Sequence, residues 1–163
     1  MKTLARLAAI ASAALILGCK LPRKAHPMQP QVTYLNPTGL HKNPAFTQAV
    51  VVSGPVTTIY VGGQNALDAE GKIVGKGDIK AQTEKALRNL EIALRAGGAE
   101  LENVVKWNVL IRQDQSVHAG FEAFQKVWGQ RPNPPAITGI IVPAFGHPDY
   151  LVEIDAIAVL PGK

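Results

Sequence analysis

Alternating apolar and polar positions predict short strands in the first half of the domain. Gln31 to Leu35 alternates and predicts a first strand, which Asn36-Pro37 ends. Gln48 to Ser53 and Thr57 to Gly62 are rich in β-branched residues and flank Ser53-Gly54-Pro55. Because glycine and proline favour tight turns, these two runs predict a hairpin.

Two later segments place apolar side chains at helical spacing. Asp78 is a typical N-cap for a first helix, and Gly97-Gly98 is a typical C-terminal stop. The predicted inward stripe of this helix is Ile79, Thr83, Ala86, Leu87, Leu90 and Leu94. A second helix is predicted from Ser116 to Trp128, with Gly129 as its stop. Its predicted inward side chains are Val117, Phe121, Phe124 and Trp128.

Three further strands complete the predicted domain. Val104 to Ile111 alternates, with Val105, Trp107, Val109 and Ile111 on one face. The stretch Asn133 to Leu160 reads as two apolar strands around a turn, which predicts a second hairpin. The order strands, helix, strand, helix, strand, strand predicts an α+β sandwich. In it, two helices cover one face of a mostly antiparallel sheet.

An apolar run at the N-terminus has a different character. Lys2 and Arg6 accompany a run of 12 residues, Leu7 to Gly18. This run is too short to span a bilayer and has the length of a signal-peptide core. It ends in Ile16-Leu17-Gly18-Cys19, which resembles a bacterial lipobox. We therefore expect residues 1–18 to be a lipoprotein signal peptide.

Cys19 is the only cysteine, so it cannot form an intramolecular disulfide, and it is the predicted lipidation site. Acyl chains on Cys19 would anchor the chain to a membrane. Residues 19–30 would be a basic tether and residues 31–163 a single domain facing the periplasm. Lys20, directly after the cysteine, favours the outer over the inner membrane by resemblance to other lipoproteins. The alternatives are a soluble secreted protein and a buried helix with an inert thiol.

The net charge of +5 comes from an excess of basic residues near the N-terminus. Five basic and no acidic residues occupy the first 24 positions, which leaves 17 − 5 = 12 Lys/Arg against 12 Asp/Glu. A neutral domain without a basic stripe predicts no nucleic-acid partner. The histidines, His26, His41, His118 and His147, lack metal-ligand spacing, and the chain has no nucleotide-binding fingerprint. We expect neither a metal nor a cofactor.

Glu153 is the candidate catalytic carboxylate. In the last strand Val152, Ile154, Ala156 and Ala158 share one face, whereas Glu153 and Asp155 share the other. That second face could simply be solvated. Ile157 and Val159 continue it, however, which indicates partial burial, and a half-buried carboxylate could act as a general base.

Several collinear segments resemble the Rid (YjgF/RidA) family. They are PAFTQAV (Pro44 to Val50), IYVGGQ (Ile59 to Gln64), the run from Gly77 to Ile111, and HPDYLVEIDAIAV (His147 to Val159). The resemblance implies a chorismate-mutase-like fold and a homotrimer with clefts between neighbouring subunits. Deaminase members of this family hydrolyse enamines and imines derived from amino acids.

The resemblance also assigns cleft positions residue by residue. Glu153 matches the family's water-activating glutamate, and Gly63 matches the glycine of its SGQ turn. Phe46 stands where the family's PYSQA segment has a tyrosine. Ile137 stands in register where deaminases, which read PPART, carry the arginine that holds the substrate carboxylate.

An apolar residue at position 137 argues against classical deaminase activity. Removing one partner of a desolvated charge pair costs on the order of 2–5 kcal/mol, or roughly 30- to 3,000-fold in productive binding. We therefore expect an envelope protein that binds a small, fairly apolar metabolite, with little 2-imino acid deaminase activity. One alternative is a deaminase whose cation comes from Arg131, His147 or another subunit. Another is a structural or partner-binding module, and a ribonuclease is the least expected.

Overall fold

Six strands and two helices follow one another along residues 28–162, the part of the chain that the computed structural model describes. The predicted signal peptide, Cys19 and most of the predicted tether lie outside these residues. The strands are β1 (Gln31–Leu35), β2 (Ala49–Ser53), β3 (Val56–Gln64), β4 (Val104–Arg112), β5 (Ala136–Val142) and β6 (Val152–Pro161). The helices are α1 (Ile79–Ala96) and α2 (Val117–Trp128), with a short 3-10 turn at Leu101–Asn103. No helix within residues 28–162 is long and apolar enough to cross a membrane.

The strands form two sheets, and the α+β prediction is confirmed. β1 pairs antiparallel with β2, and the larger sheet has the order β3-β6-β4-β5. Within it, β6 runs antiparallel to both β3 and β4, whereas β4 and β5 are parallel. Both helices pack on one face of this largely antiparallel sheet, where their buried side chains join one core cluster with those of the strands.

Two predicted hairpins are wrong. β2 pairs with β1 rather than with β3, and β4 lies between β5 and β6. The second error has a clear cause, because α2 forms the crossover that parallel neighbours such as β4 and β5 require. β6 then pairs with the other edge of β4.

Trp107 lies at the centre of the core, between the sheet and α2. Its side chain is fully buried and meets the rings of Phe124 and Trp128 edge-on, with centroids 5.1 and 5.4 Å away. Val117 was predicted to face inward but is 53% exposed. It is the first residue of α2, and side chains lean toward the helix N-terminus, so no preceding turn covers it.

Local signals set the helix ends as predicted. The Asp78 carboxylate accepts hydrogen bonds from the backbone N–H groups of Lys80 (2.9 Å) and Ala81 (3.1 Å). The Ser116 hydroxyl accepts from the N–H of Ala119 at 3.2 Å. Gly97 and Gly129 terminate α1 and α2. The Asp78 and Ser116 caps satisfy N–H groups of the first turn that would otherwise lack an intrahelical partner.

Gln82 fastens the beginning of β6 to α1. Its side chain is fully buried, its Oε1 accepts from Leu151 N at 3.0 Å, and its Nε2 donates to Asp149 O at 2.8 Å and Gly75 O at 3.2 Å. Gln82→Ala leaves these backbone groups without a hydrogen-bond partner, and each unpaired buried group costs about 1–3 kcal/mol of stability. We expect the free energy of unfolding in urea to fall by roughly 2–4 kcal/mol. The exposed Gln125→Ala on α2 is the control, and equal losses in the two variants would contradict this role.

Candidate functional site

β6 presents Glu153 on the sheet face that carries no helix. Val152, Ile154, Ala156 and Ala158 are buried in the core, whereas Glu153 and Asp155 are half-buried. This alternation follows from the period of two in a strand. The carboxylates therefore lie on the face opposite α1 and α2.

A β-bulge brings Gly63 against Glu153. Val61 pairs with Ala156 and Gln64 with Ile154, so two residues of β3, Gly62 and Gly63, lie opposite the single residue Asp155. A Cβ built on Gly63 would be only 2.6 Å from Cδ and 2.8 Å from Cγ of Glu153. The carboxyl group thus rests on the α-carbon of Gly63, a position that only glycine leaves open.

Other polar side chains on the helix-free face pair with one another. Asn108 Nδ2 donates to Asp155 Oδ1 at 2.9 Å, and Lys106 Nζ donates to Thr138 Oγ1. Within residues 28–162, the Glu153 carboxylate itself takes part in no hydrogen bond or ion pair. Its oxygens are therefore available to water or a ligand.

Sequence reasoning had not selected Lys106, Asn108 or Thr138. A usable signal existed, because Lys106 and Asn108 alternate with the apolar residues of β4 and must share the face opposite Trp107. The pairing of β4 with β6 then places Asn108 directly beside Asp155.

Ile137 lies on the other face of the sheet. It pairs in register with Trp107, which pairs with Ala156, and directly paired residues point to the same side. Ile137 is half-buried against the core beneath the helices. One chain therefore does not bring Ile137 and Glu153 into a common cleft.

Phe46 belongs to the neighbourhood of β5. The adjacent residue Thr47 is held there, since its N–H donates to Pro135 O at 3.0 Å and its Oγ1 to Pro134 O at 2.5 Å. The four predicted positions thus separate into two pairs. Gly63 and Glu153 lie at the β3–β6 bulge, whereas Phe46 and Ile137 lie around the start of β5.

Comparison with known proteins identifies the family. The profile described as "Endoribonuclease L-PSP" matches residues 40–160. The chain belongs to the Endoribonuclease L-PSP family. It is 33% identical over 117 residues to a RutC family protein of Synechocystis, covering 71% of this chain and 86% of that one.

Other relatives of this L-PSP family chain carry Rid and deaminase names. A 2-iminobutanoate/2-iminopropanoate deaminase of Rattus norvegicus is 33% identical over 115 residues, covering 71% of this chain and 80% of that one. A Rid family protein of unknown function from Yersinia pestis shares the fold with a TM-score of 0.70. It is 31% identical, covering 79% of this chain and 98% of its own. These similarities agree with the Rid resemblance.

The Arg131 guanidinium binds backbone carbonyls at the C-terminal end of α2. Its Nε donates to Glu102 Oε1 at 2.7 Å, and its Nη1 donates to Val127 O at 2.9 Å and Trp128 O at 2.5 Å. These bonds use Nε and Nη1, so neither edge of the guanidinium keeps two adjacent free nitrogens for a bidentate carboxylate pair. The structure therefore gives Arg131 a structural task in this L-PSP family chain.

His147 also has local partners. Its Nδ1 accepts from the N–H of Asp149 at 3.1 Å, and its ring lies 5.1 Å from that of Tyr150. Across residues 28–162, no three His, Cys, Asp or Glu side chains cluster closely enough to hold a metal ion.

Gly63→Ala should move the Glu153 carboxyl without unfolding this L-PSP family domain. The new Cβ would overlap the flexible end of the Glu153 side chain, which can rotate away. We expect a change of less than about 1 kcal/mol in the free energy of unfolding, together with a clear shift in the NMR signal of the Glu153 carboxyl. Gly62→Ala is the matched control because its Cβ would meet no atom within 4 Å. An unchanged signal in Gly63→Ala would show that the two residues do not touch in solution.

Proposed function

We propose that this chain is an envelope-anchored, RidA-like protein that binds a small, largely apolar metabolite in a cleft between subunits. We further propose that it lacks efficient 2-imino acid deaminase activity. The observation that carries this proposal is Ile137, an apolar residue in an apolar setting, at the position where the resemblance expects an arginine. A substrate carboxylate placed there would face hydrocarbon and lose its charged partner.

The separation of the two residue pairs supports a cleft built from two chains. Glu153 and Ile137 lie on opposite sheet faces, so a site that contains both needs the second residue from a neighbouring copy. The helix-free face also exposes apolar surface, with Tyr60 77% and Ile140 40% exposed. A homotrimer that covers this face would remove both from water. Sedimentation of the unlipidated chain as a monomer at assay concentrations would overturn this part of the proposal.

Membrane anchoring rests on the N-terminal sequence. The positive start, the apolar run and the lipobox agree in position around Cys19. In a bacterial host, a clickable fatty acid should label the wild-type chain and not Cys19→Ala. An unlabelled wild type would contradict the proposed lipid anchor and the outer-membrane location.

An enamine or imine deaminase is the second candidate. It is favoured by the free Glu153 carboxylate against Gly63 and by the deaminase names of mammalian relatives. In this mechanism Glu153 would take a proton from water as the water attacks the imine carbon. A ribonuclease is less well supported, because the basic and acidic residues after position 24 balance.

The deciding experiment is hydrolysis of 2-aminoacrylate generated in situ by the chain without its lipid. We expect pyruvate release no faster than the spontaneous reaction, and we expect small neutral metabolites to raise the melting temperature. Acceleration that disappears in Glu153→Ala would replace our proposal with the deaminase. If neither activity nor any ligand-induced shift is found, a structural or partner-binding module becomes the better account.

A further inference from the structure

Lys106 of β4 is a cation without a carboxylate partner in its own chain. It lies on the side of β4 opposite Trp107, and its Nζ donates to the Thr138 hydroxyl of β5. Within residues 28–162, it forms no ion pair with an acidic side chain. Because β4 lies between β5 and β6, the bond to Thr138 directs Lys106 away from the strand that carries Glu153.

Glu153 carries the complementary charge on the same sheet face. In the register of β4 and β6, Glu153 lies opposite Leu110. Lys106 lies opposite Ile157. The lysine and the glutamate are therefore 110 − 106 = 4 strand positions apart, which is about 13 Å along the sheet. Because side chains stand roughly perpendicular to a sheet, the two charges do not meet within one chain.

The other charged residues of β4 and β6 have partners. The Asp155 carboxylate accepts from Asn108 Nδ2 at 2.9 Å. The Arg112 guanidinium, at the end of β4, donates to both carboxylate oxygens of Asp114, at 2.5 and 2.8 Å. Among the described residues of these two strands, the lysine and the glutamate are thus the charges that lack a charged or amide partner.

We propose that Lys106 Nζ binds the Glu153 carboxylate of a neighbouring copy in the assembled protein. This contact rests on the homotrimer of the proposed function, whose copies it would hold together. Both residues are half-buried on a face that also exposes Tyr60 and Ile140. When another copy covers this face, both charges leave water, and an unpaired buried charge is costly.

A second copy of this chain is the partner because its helix-free face brings the complementary charge to each unpaired one. In a closed ring, each copy gives its lysine to one neighbour and its carboxylate to the other. The pair would also place a cation beside the carboxylate of the proposed cleft.

Charge reversal tests the pair. Sedimentation velocity of the unlipidated full chain over a concentration series measures the dissociation constant of the assembly. We expect Lys106→Glu and Glu153→Lys each to raise this constant at least about thirtyfold. The two reversals together should recover most of the loss, because the pair is restored with its charges exchanged. Lys72→Glu is the matched control, since Lys72 is an exposed lysine outside the strands, and it should assemble as the wild type does.

A second pair of variants introduces no new charge. Lys106→Met and Glu153→Gln keep the approximate size of each side chain, and circular dichroism checks that both are folded. We expect each to weaken the assembly, and we expect the double variant to be no weaker than the weaker single variant. Losses that do not add are the signature of two residues that share one contact.

Two further variants separate this pair from contacts within a chain. Thr138→Val removes the intrachain acceptor of Lys106, and Asp155→Asn removes the neighbouring carboxylate, which Asn108 already satisfies. We expect both variants to assemble as the wild type does. Weakening by either variant equal to that of Lys106→Met would overturn the proposed pair.

Unchanged assembly of a folded Lys106→Glu, or no recovery in the double reversal, would also overturn it. A monomeric wild type would instead overturn the homotrimer of the proposed function. A stable wild-type assembly that ignores every Lys106 variant would overturn the ion pair alone, so the two failures are distinguishable.

Discussion

Ile137→Arg is expected to raise the hydrolysis of 2-aminoacrylate by roughly 30- to 3,000-fold over the wild type. An arginine at this position would supply the bidentate partner for the substrate carboxylate that Ile137 cannot provide. β5 is an edge strand of the larger sheet, and Ile137 is only half-buried. A long guanidinium side chain can therefore leave the apolar surroundings and reach the surface. The observed rate of pyruvate release is compared between the variant and the wild type at equal protein and substrate concentrations.

Two variants identify the source of the gained activity. Ile137→Lys adds the same charge without the planar fork and should gain less. Adding Glu153→Gln to Ile137→Arg should remove the gain, because the water would lose its base. If folded Ile137→Arg is as inactive as the wild type, the missing arginine is not what limits the reaction. The absence of the tyrosine hydroxyl at Phe46 would then become the next explanation.

Trp107→Ala is expected to lower the free energy of unfolding by roughly 3–5 kcal/mol. Trp107 is fully buried in β4 and makes edge contacts with Phe124 and Trp128 of α2. Truncation to alanine therefore removes packing contacts between the sheet and α2. The new space would add to an apolar cavity between the helices and the sheet, which Trp107 already lines. Domains of this size have total stabilities of about 5–15 kcal/mol, so the variant should approach instability.

Urea unfolding measures this loss. Ile92→Ala is the control, since Ile92 lies on the outer side of α1 and is 64% exposed. We expect the control to change stability by no more than about 0.5 kcal/mol. A loss below about 1 kcal/mol in Trp107→Ala would show that the core around α2 repacks freely.

Local structure was readable from the residues alone. Asp78, Ser116 and the two terminal glycines set the helix ends, because N-caps and C-terminal glycines bond backbone groups only two to four residues away. The strand segments, and the opposition of Glu153 to Ile154 within β6, follow from a period of two in a single strand. The apolar stripe of α1 likewise depends only on helical spacing.

The partners of the strands could not be read in this way. Alternation shows which residues of one strand share a face, but it does not show which other strand is its hydrogen-bonded neighbour. The hairpin predictions for β2–β3 and β5–β6 failed for this reason. Pairing depends on contacts between residues far apart in the sequence, here on the crossover through α2.

The sequence by itself thus determined the helices and strands and their approximate ends. It also singled out Glu153, Gly63 and Ile137 as candidate site positions. Only the tertiary structure decided that the β3 bulge lays Gly63 against Glu153 and that strand register turns Ile137 to the opposite face. The physical reason is that register fixes side-chain direction across a whole sheet, and a shift of one residue would reverse it.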